Sequence, residues 1–93
     1  MTITAEKKQS ITISELYPIY DAKASFYGKA RVIVCGNKKT LVSYDTEVAE
    51  IENDNPVVFG CYSSTTLRHI KEFLRQNGFR ADTKSQIEKD YIT

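Results

Sequence analysis

The stretch 29–62, KARVIVCGNKKTLVSYDTEVAEIENDNPVVFGCY, decides the fold. Its β-branched cluster Val32, Ile33, Val34 favours a strand, and Gly36-Asn37 supplies the turn residues of a hairpin. The following TLVSYDTEVAEIE reads as one strand, with Val42, Tyr44, Thr46 and Val48 on one face and Leu41, Ser43, Asp45 and Glu47 on the other. Beyond Val48 the apolar phase slips to Ala49 and Ile51, which predicts a bulge or bend. Asn53-Asp54-Asn55-Pro56 is a turn cluster, and VVFGCY after it predicts a third strand with Val57, Phe59 and Cys61 inward.

Downstream, Ser63 to Thr66 offers four hydroxyl residues able to accept from the unpaired amides of a helix start. At about 100° per residue, Leu67, Ile70, Phe73 and Leu74 fall within an arc of roughly 120°, a core stripe. Asn77-Gly78 ends the helix, with Phe79 placed to pack back on Leu74. Thr83-Lys-Ser-Gln86 is a second capping pattern, opening a short helix with Ile87 and Tyr91 inward.

Upstream the pattern is poorer. Residues 1–10 hold too little apolar content to anchor themselves and are expected to be disordered, with order beginning near Ile11. Ser14 is able to cap a short helical turn, but Pro18 removes a donor and restricts Tyr17, so 14–28 reads as an irregular or short-helical, aromatic-rich lead-in. The expected fold is α+β: a three-stranded antiparallel meander packed against one long and one short C-terminal helix.

At 93 residues, 41% hydrophobic and 27% charged, the chain has the size and composition of a single globular domain, 1–93. The opening stretch lacks the continuous apolar core of a signal peptide, and the longest apolar run, Val32 to Cys35, is far below the roughly 20 residues of a membrane-spanning helix. A cytoplasmic address is expected, with no membrane partner and a monomer or small homo-oligomer. Cys35 and Cys61 fall on the outer strands of the expected meander, roughly 10 Å apart and beyond the ~7 Å reach of a disulfide.

Net charge is +1, but it is segregated: residues 1–39 carry +4, residues 40–65 carry −5 and residues 66–93 carry +2. The acidic middle, Asp45, Glu47, Glu50, Glu52 and Asp54, is a candidate surface for a basic protein groove, or else an edge strand guarded by charge against aggregation. On the long helix, Arg68, Lys71 and Arg75 share an arc of roughly 60°, with Arg80 just beyond, a candidate phosphate-binding flank. Glu72 sits beside them and is spaced to pair with Arg68 at i, i+4.

Other chemistry is weakly signalled. Cys61 precedes the helix that carries the single histidine, His69, as a thiol–imidazole dyad would require, yet an inward strand cysteine behaves as a small hydrophobe. A zinc-binding protein would use Cys35, Cys61 and His69 with a carboxylate, but no short Cys-x-x-Cys or His-x-x-x-His pair occurs. His69 lies about 40° from Phe73 on the helical wheel, which suits a half-buried boundary residue. GNKKT at 36–40 lacks the upstream glycine of a phosphate-binding loop and leads into a strand. No catalytic residue, no bound metal and no cofactor is expected.

Three stretches, YDAKASFYGKARV from Tyr20, LVSYDTEVAEI from Leu41 and YSSTTLRHIKEFLRQNGF from Tyr62, together with the closing KSQIEKDYI, carry a resemblance. They resemble small, largely uncharacterised proteins of phages, plasmids and other mobile elements of Gram-positive bacteria, over nearly everything after residue 16. The resemblance implies a mobile-element setting and brings no catalytic residues with it. From that setting, the small size and the segregated charge, the expected function is non-enzymatic binding of host machinery, with an anti-CRISPR inhibitor of a Cas nuclease as the leading reading. The alternative is a small nucleic-acid-binding accessory protein using Arg68, Lys71, Arg75 and Arg80.

Overall fold

The 29–62 stretch turns back on itself three times rather than twice. In the computed structural model, which describes residues 10–92, the chain runs through five strands and two helices. These are β1 (Ile11–Glu15), β2 (Ala30–Cys35), β3 (Lys38–Ser43), β4 (Thr46–Glu52), β5 (Asn55–Val58), α1 (Ser64–Gln76) and α2 (Lys84–Tyr91). The expected disordered leader falls on residues 1–9, outside the described residues, apart from Ser10.

The strands form one antiparallel sheet in the order β1-β2-β3-β4-β5. The α+β class holds, while the three-stranded meander is corrected to five strands. Two misreadings account for the difference. The segment TLVSYDTEVAEIE is a hairpin and not a single strand, because Tyr44 and Asp45 both take positive φ (50° and 69°) between the paired Ser43 and Thr46. Positive φ at both central residues defines the type I′ turn, whose twist suits a hairpin. Tyrosine is a poor residue for that conformation, so the turn signal of Asp45 was masked. The lead-in is also partly a strand: Ser14 does not cap a helix but lies in β1, facing Val32 of β2.

The expected bulge is found. Leu41 faces Ala49 while Val42 faces Glu47, so Val48 is the extra residue of β4. That irregularity sends the consecutive Val48 and Ala49 both into the core, which explains the slipped apolar phase. The third expected strand also shifts: β5 ends at Val58, which is the inward residue, while Phe59 and Cys61 are exposed.

Pairing register defines two faces. Ser14, Val32, Leu41, Ala49 and Val58 form a cross-strand row on the face covered by the helices. Ile13, Ile33, Thr40, Glu50 and Val57 form the adjacent row on the opposite face. Helix α1 lies over β3 and α2 beside β5. Ile70, Phe73 and Leu74 are buried against Leu41 and Ile51, and Leu67 is half-buried at the edge of the same cluster. Each such fully buried side chain stabilises the fold by about 1.5–3 kcal/mol.

Both helices end as their sequences dictate. Ser63 caps α1 by accepting from the Thr66 amide. At the other end Gly78 (φ 85°) donates to Arg75 O and Phe79 to Leu74 O, the paired bonds of a Schellman motif. Thr83 Oγ1 accepts from Gln86 N, and the Gln86 side chain accepts from the Asp82 amide. Ile87 is buried and Tyr91 packs against the core at half burial. Among the described residues no helix is long and apolar enough to cross a membrane.

Candidate functional site

Two polar residues of α1, one turn apart, are fully buried: His69 and Glu72, 2% and 1% exposed. Each faces the 16–29 segment, and together they anchor it. Glu72 does not pair with Arg68 as its i, i+4 spacing suggested. Its carboxylate accepts from the backbone amides of Ile19 (2.8 Å), Tyr20 (3.0 Å) and Asp21 (2.9 Å) and from Gln76 Nε2 (2.6 Å). A buried carboxylate must recover the hydration it loses, and four converging N–H donors do so where a solvated arginine would not. Gln76 Nε2 also donates to Tyr17 O, and Arg68 turns to Asp21 (3.1 Å). The lead-in loop is thereby fixed to α1 along its 17–21 span.

His69 is more deeply placed than a boundary residue. Its Nδ1 shares a hydrogen bond with Ser43 Oγ (2.8 Å), which in turn contacts Thr66 Oγ1 (3.1 Å). Phe26 and Tyr44 flank the imidazole, with ring centroids at 4.6 and 5.7 Å. Burial pushes the His69 pKa below its ordinary value; Asp21 acts in the opposite direction and Lys23 reinforces the shift. The ring is therefore neutral at pH 7. Among the described residues Nε2 forms no hydrogen bond, and the ring lines a cavity of about 140 Å³ that Ser43 does not reach.

The other lining residues of that cavity are Lys23, Ser25, Phe26, Tyr27, Lys29, Tyr44, Thr65 and Arg68. Tyr27 and Tyr44 stand out by conformation. Tyr27-Gly28 takes positive φ at both residues (55° and 74°) under a Lys29 N to Phe26 O hydrogen bond, a second type I′ turn like that of Tyr44-Asp45. Glycine, asparagine or aspartate suits the first central position of such a turn, and a bulky aromatic there costs about 1–2 kcal/mol. Both tyrosines are nevertheless exposed, 76% and 51%, beside the same cavity. The ammonium of Lys29 lies 6.0 Å from the Tyr44 ring centroid, at the outer reach of a cation–π contact.

The candidates named from sequence are distributed unevenly. Arg68 lies at the cavity rim, and a shallow groove lined by Ser64, Thr65, Leu67, Arg68 and Lys71 continues from it along α1. Arg75 follows one turn later, while Arg80 is bound to Asp82 (2.6 Å). The five acidic residues differ in their partners. Asp45 pairs with Arg31 (2.7 Å), Glu50 with Lys38 (3.4 Å), and Glu52 faces Lys38 across the strands. Glu47 and Asp54 are exposed, and neither joins an ion pair among the described residues.

Cys61 and His69 are not brought together. Cys61 is exposed, and a hydrogen bond to Glu88, with smaller contributions from burial and the Glu88 charge, holds its thiol pKa above the ordinary value. That disfavours the thiolate a nucleophile needs. Cys35 ends β2, with β3 and β4 between it and β5, while Cys61 lies beyond the end of β5 in the approach to α1. No three histidine, cysteine, aspartate or glutamate side chains gather as metal ligands among the described residues.

Sequence reading missed the cavity because its residues are scattered over three segments, 23–29, Tyr44 and 65–69, that only the fold unites. Lys23, Ser25 and Tyr27 belonged to the stretch taken as irregular, Lys29 to the start of a strand and Tyr44 to a strand interior. The one available signal was the repeated pairing of an aromatic with a turn former, Tyr27-Gly28 and Tyr44-Asp45. Residues 14–89 match a family described as a family of unknown function, DUF8033. The chain belongs to it. The matched span holds the whole cavity, the Glu72 cradle and both helix starts, and it begins at the penultimate residue of β1. No curated protein and no solved structure matches the chain.

Proposed function

We propose that the protein is a non-enzymatic nucleic-acid-binding module whose contact surface is the N-terminal half of α1 with the adjoining 23–29 loop. The observation that carries this reading is the convergence of Lys23, Lys29 and Arg68 on one cavity whose rim runs on to Lys71. Three cations from two distant segments, with hydroxyls of Ser25, Thr65, Tyr27 and Tyr44 among them, match the demands of phosphate contact. The first turn of α1 contains no acidic residue, so the positive end of the helix dipole is not offset there. Asp21 restrains Arg68 in place and removes part of its charge, which suits modest affinity. The test is a binding titration against single- and double-stranded DNA and RNA at several salt concentrations. Steep salt dependence, abolished by charge reversal at Lys23, Lys29 and Lys71, supports the reading; no binding to any nucleic acid at low salt ends it.

A host-protein partner, a Cas nuclease in the mobile-element setting, is the second reading. Glu47 and Asp54, exposed and outside any ion pair among the described residues, are what favours it. Binding of a purified Cas nuclease and loss of its DNA cleavage would support that reading, and uninhibited cleavage would remove it.

A further inference from the structure

We infer that the cavity beneath Tyr27 and Tyr44 takes one unstacked base of a single-stranded nucleic acid, with His69 at its floor and Lys23, Lys29 and Arg68 on the flanking phosphates. This rests on the nucleic-acid reading above and adds to it a strand type and a mode of recognition.

Size is the first argument. At about 140 Å³ the cavity is well below the roughly 300–1,000 Å³ of pockets that hold extended small molecules, and it suits a single planar ring. Chemistry is the second. Aromatic side chains give any base a stacking surface, and cations beside them hold the backbone, the combination by which single strands are bound. Duplex bases are already stacked and cannot enter without being extruded.

Conformation is the third argument. Two tyrosines occupy positive-φ turn positions that glycine or asparagine would fill at lower cost, and both line this cavity. Strain of this kind, held by surrounding structure, clusters at ligand clamps. Neither ring is explained by the core: Tyr27 is 76% exposed, and Tyr44 belongs to no buried cluster.

His69 supplies the fourth. A buried ring nitrogen without a partner among the described residues is unusual, since buried polar atoms are nearly always bonded. With Nδ1 held by Ser43, the neutral ring has Nε2 to offer a base edge. If Nδ1 accepts from the hydroxyl then Nε2 is a donor; if Nδ1 donates then Nε2 accepts.

Fluorescence anisotropy separates the outcomes with four probes: an oligothymidylate of about ten nucleotides, within the usual span of such sites, an abasic strand of equal length, a duplex and thymidine monophosphate. The abasic strand keeps the phosphates and lacks the rings. The normal strand is expected to bind about tenfold more tightly than the abasic one, with the duplex and mononucleotide weaker still. The double variant Tyr27→Asn, Tyr44→Asn keeps the turn conformation and removes both rings. It is expected to bind normal and abasic strands alike, with a cooperative melting transition no lower than that of the unmodified protein confirming its fold. Tyr17→Ala, at an exposed tyrosine outside the cavity, should preserve the difference. Equal binding of normal and abasic strands by the unmodified protein would overturn the base pocket while leaving phosphate binding intact. Absence of binding to every polymer would remove both readings. A mononucleotide binding as tightly as the oligomer would overturn the assignment to a strand.

Discussion

Glu72 and His69 lie one turn apart on the same helix, equally buried, and differ in how far their polar atoms are satisfied. The Glu72 carboxylate accepts from three consecutive backbone amides and a glutamine side chain. His69 has one nitrogen bonded and the other facing no partner among the described residues, beside a cavity. The first is a closed structural clamp and the second an open one. Saturation of hydrogen bonds, rather than burial or residue type, is what distinguishes an anchor of the fold from a group available to a ligand.

That contrast predicts unequal responses. Glu72→Gln places an amide donor against donors and removes the charge they solvate, so stability should fall by about 3 kcal/mol, read from urea unfolding. Protection of the Ile19, Tyr20 and Asp21 amides against hydrogen exchange should fall with it. A loss below about 0.5 kcal/mol would break the clamp half of the comparison.

On the open side, Lys23→Glu with Lys29→Glu should weaken single-strand binding by about tenfold or more. It should also flatten the slope of log affinity against log salt by about two phosphate contacts. Stability should barely change, because neither lysine joins an ion pair among the described residues. An unchanged salt slope would place the nucleic-acid surface elsewhere.

The neutral, buried His69 makes stability depend on pH. Its folded pKa lies below the unfolded value of about 6.5, so below pH 6.5 the unfolded chain binds more protons than the folded one. Its full contribution is present above pH 6.5 and is lost as pH falls through the folded pKa. Stability should therefore decline between pH 7 and pH 5 in thermal melts, and His69→Gln should flatten that part of the profile.

The smallest effect is expected at Tyr27. Tyr27→Asn relieves an unfavourable turn residue whose ring is largely exposed, so the variant should be about 0.5 kcal/mol more stable than the unmodified protein. A gain in stability with a loss of binding is the signature of a residue kept for a ligand.

Much of the architecture was legible because it is written in local rules. The caps at Ser63 and Thr83, the Schellman stop at Gly78 and the bulge at Val48 each follow from a short pattern whose physics is contained in a few residues. β1 was illegible because its ITISE is exposed along most of its length, leaving no burial pattern to read. The Tyr44-Asp45 turn was hidden because its first residue contradicts turn preference, and local rules fail where a residue is held in place by its surroundings. The acidic middle changes between sequence and space. Its charges are segregated along the chain but face Arg31 and Lys38 across the sheet, so the linear excess is partly cancelled in space. Helical spacing put Arg68 and Lys71 on one flank of α1, but that Lys23 and Lys29 line a cavity together with Arg68 needed the fold.

His69 is the sole histidine of the chain, so its imidazole signals are identifiable without further labelling. Proton–nitrogen correlation spectra of the imidazole, recorded while oligothymidylate and then the equivalent abasic strand are added, test the open half of the comparison most directly. The account predicts that Nε2 and its neighbouring ring protons shift on adding the normal strand and stay in place with the abasic one. Imidazole signals that remain unchanged when the protein is saturated with oligothymidylate would contradict it.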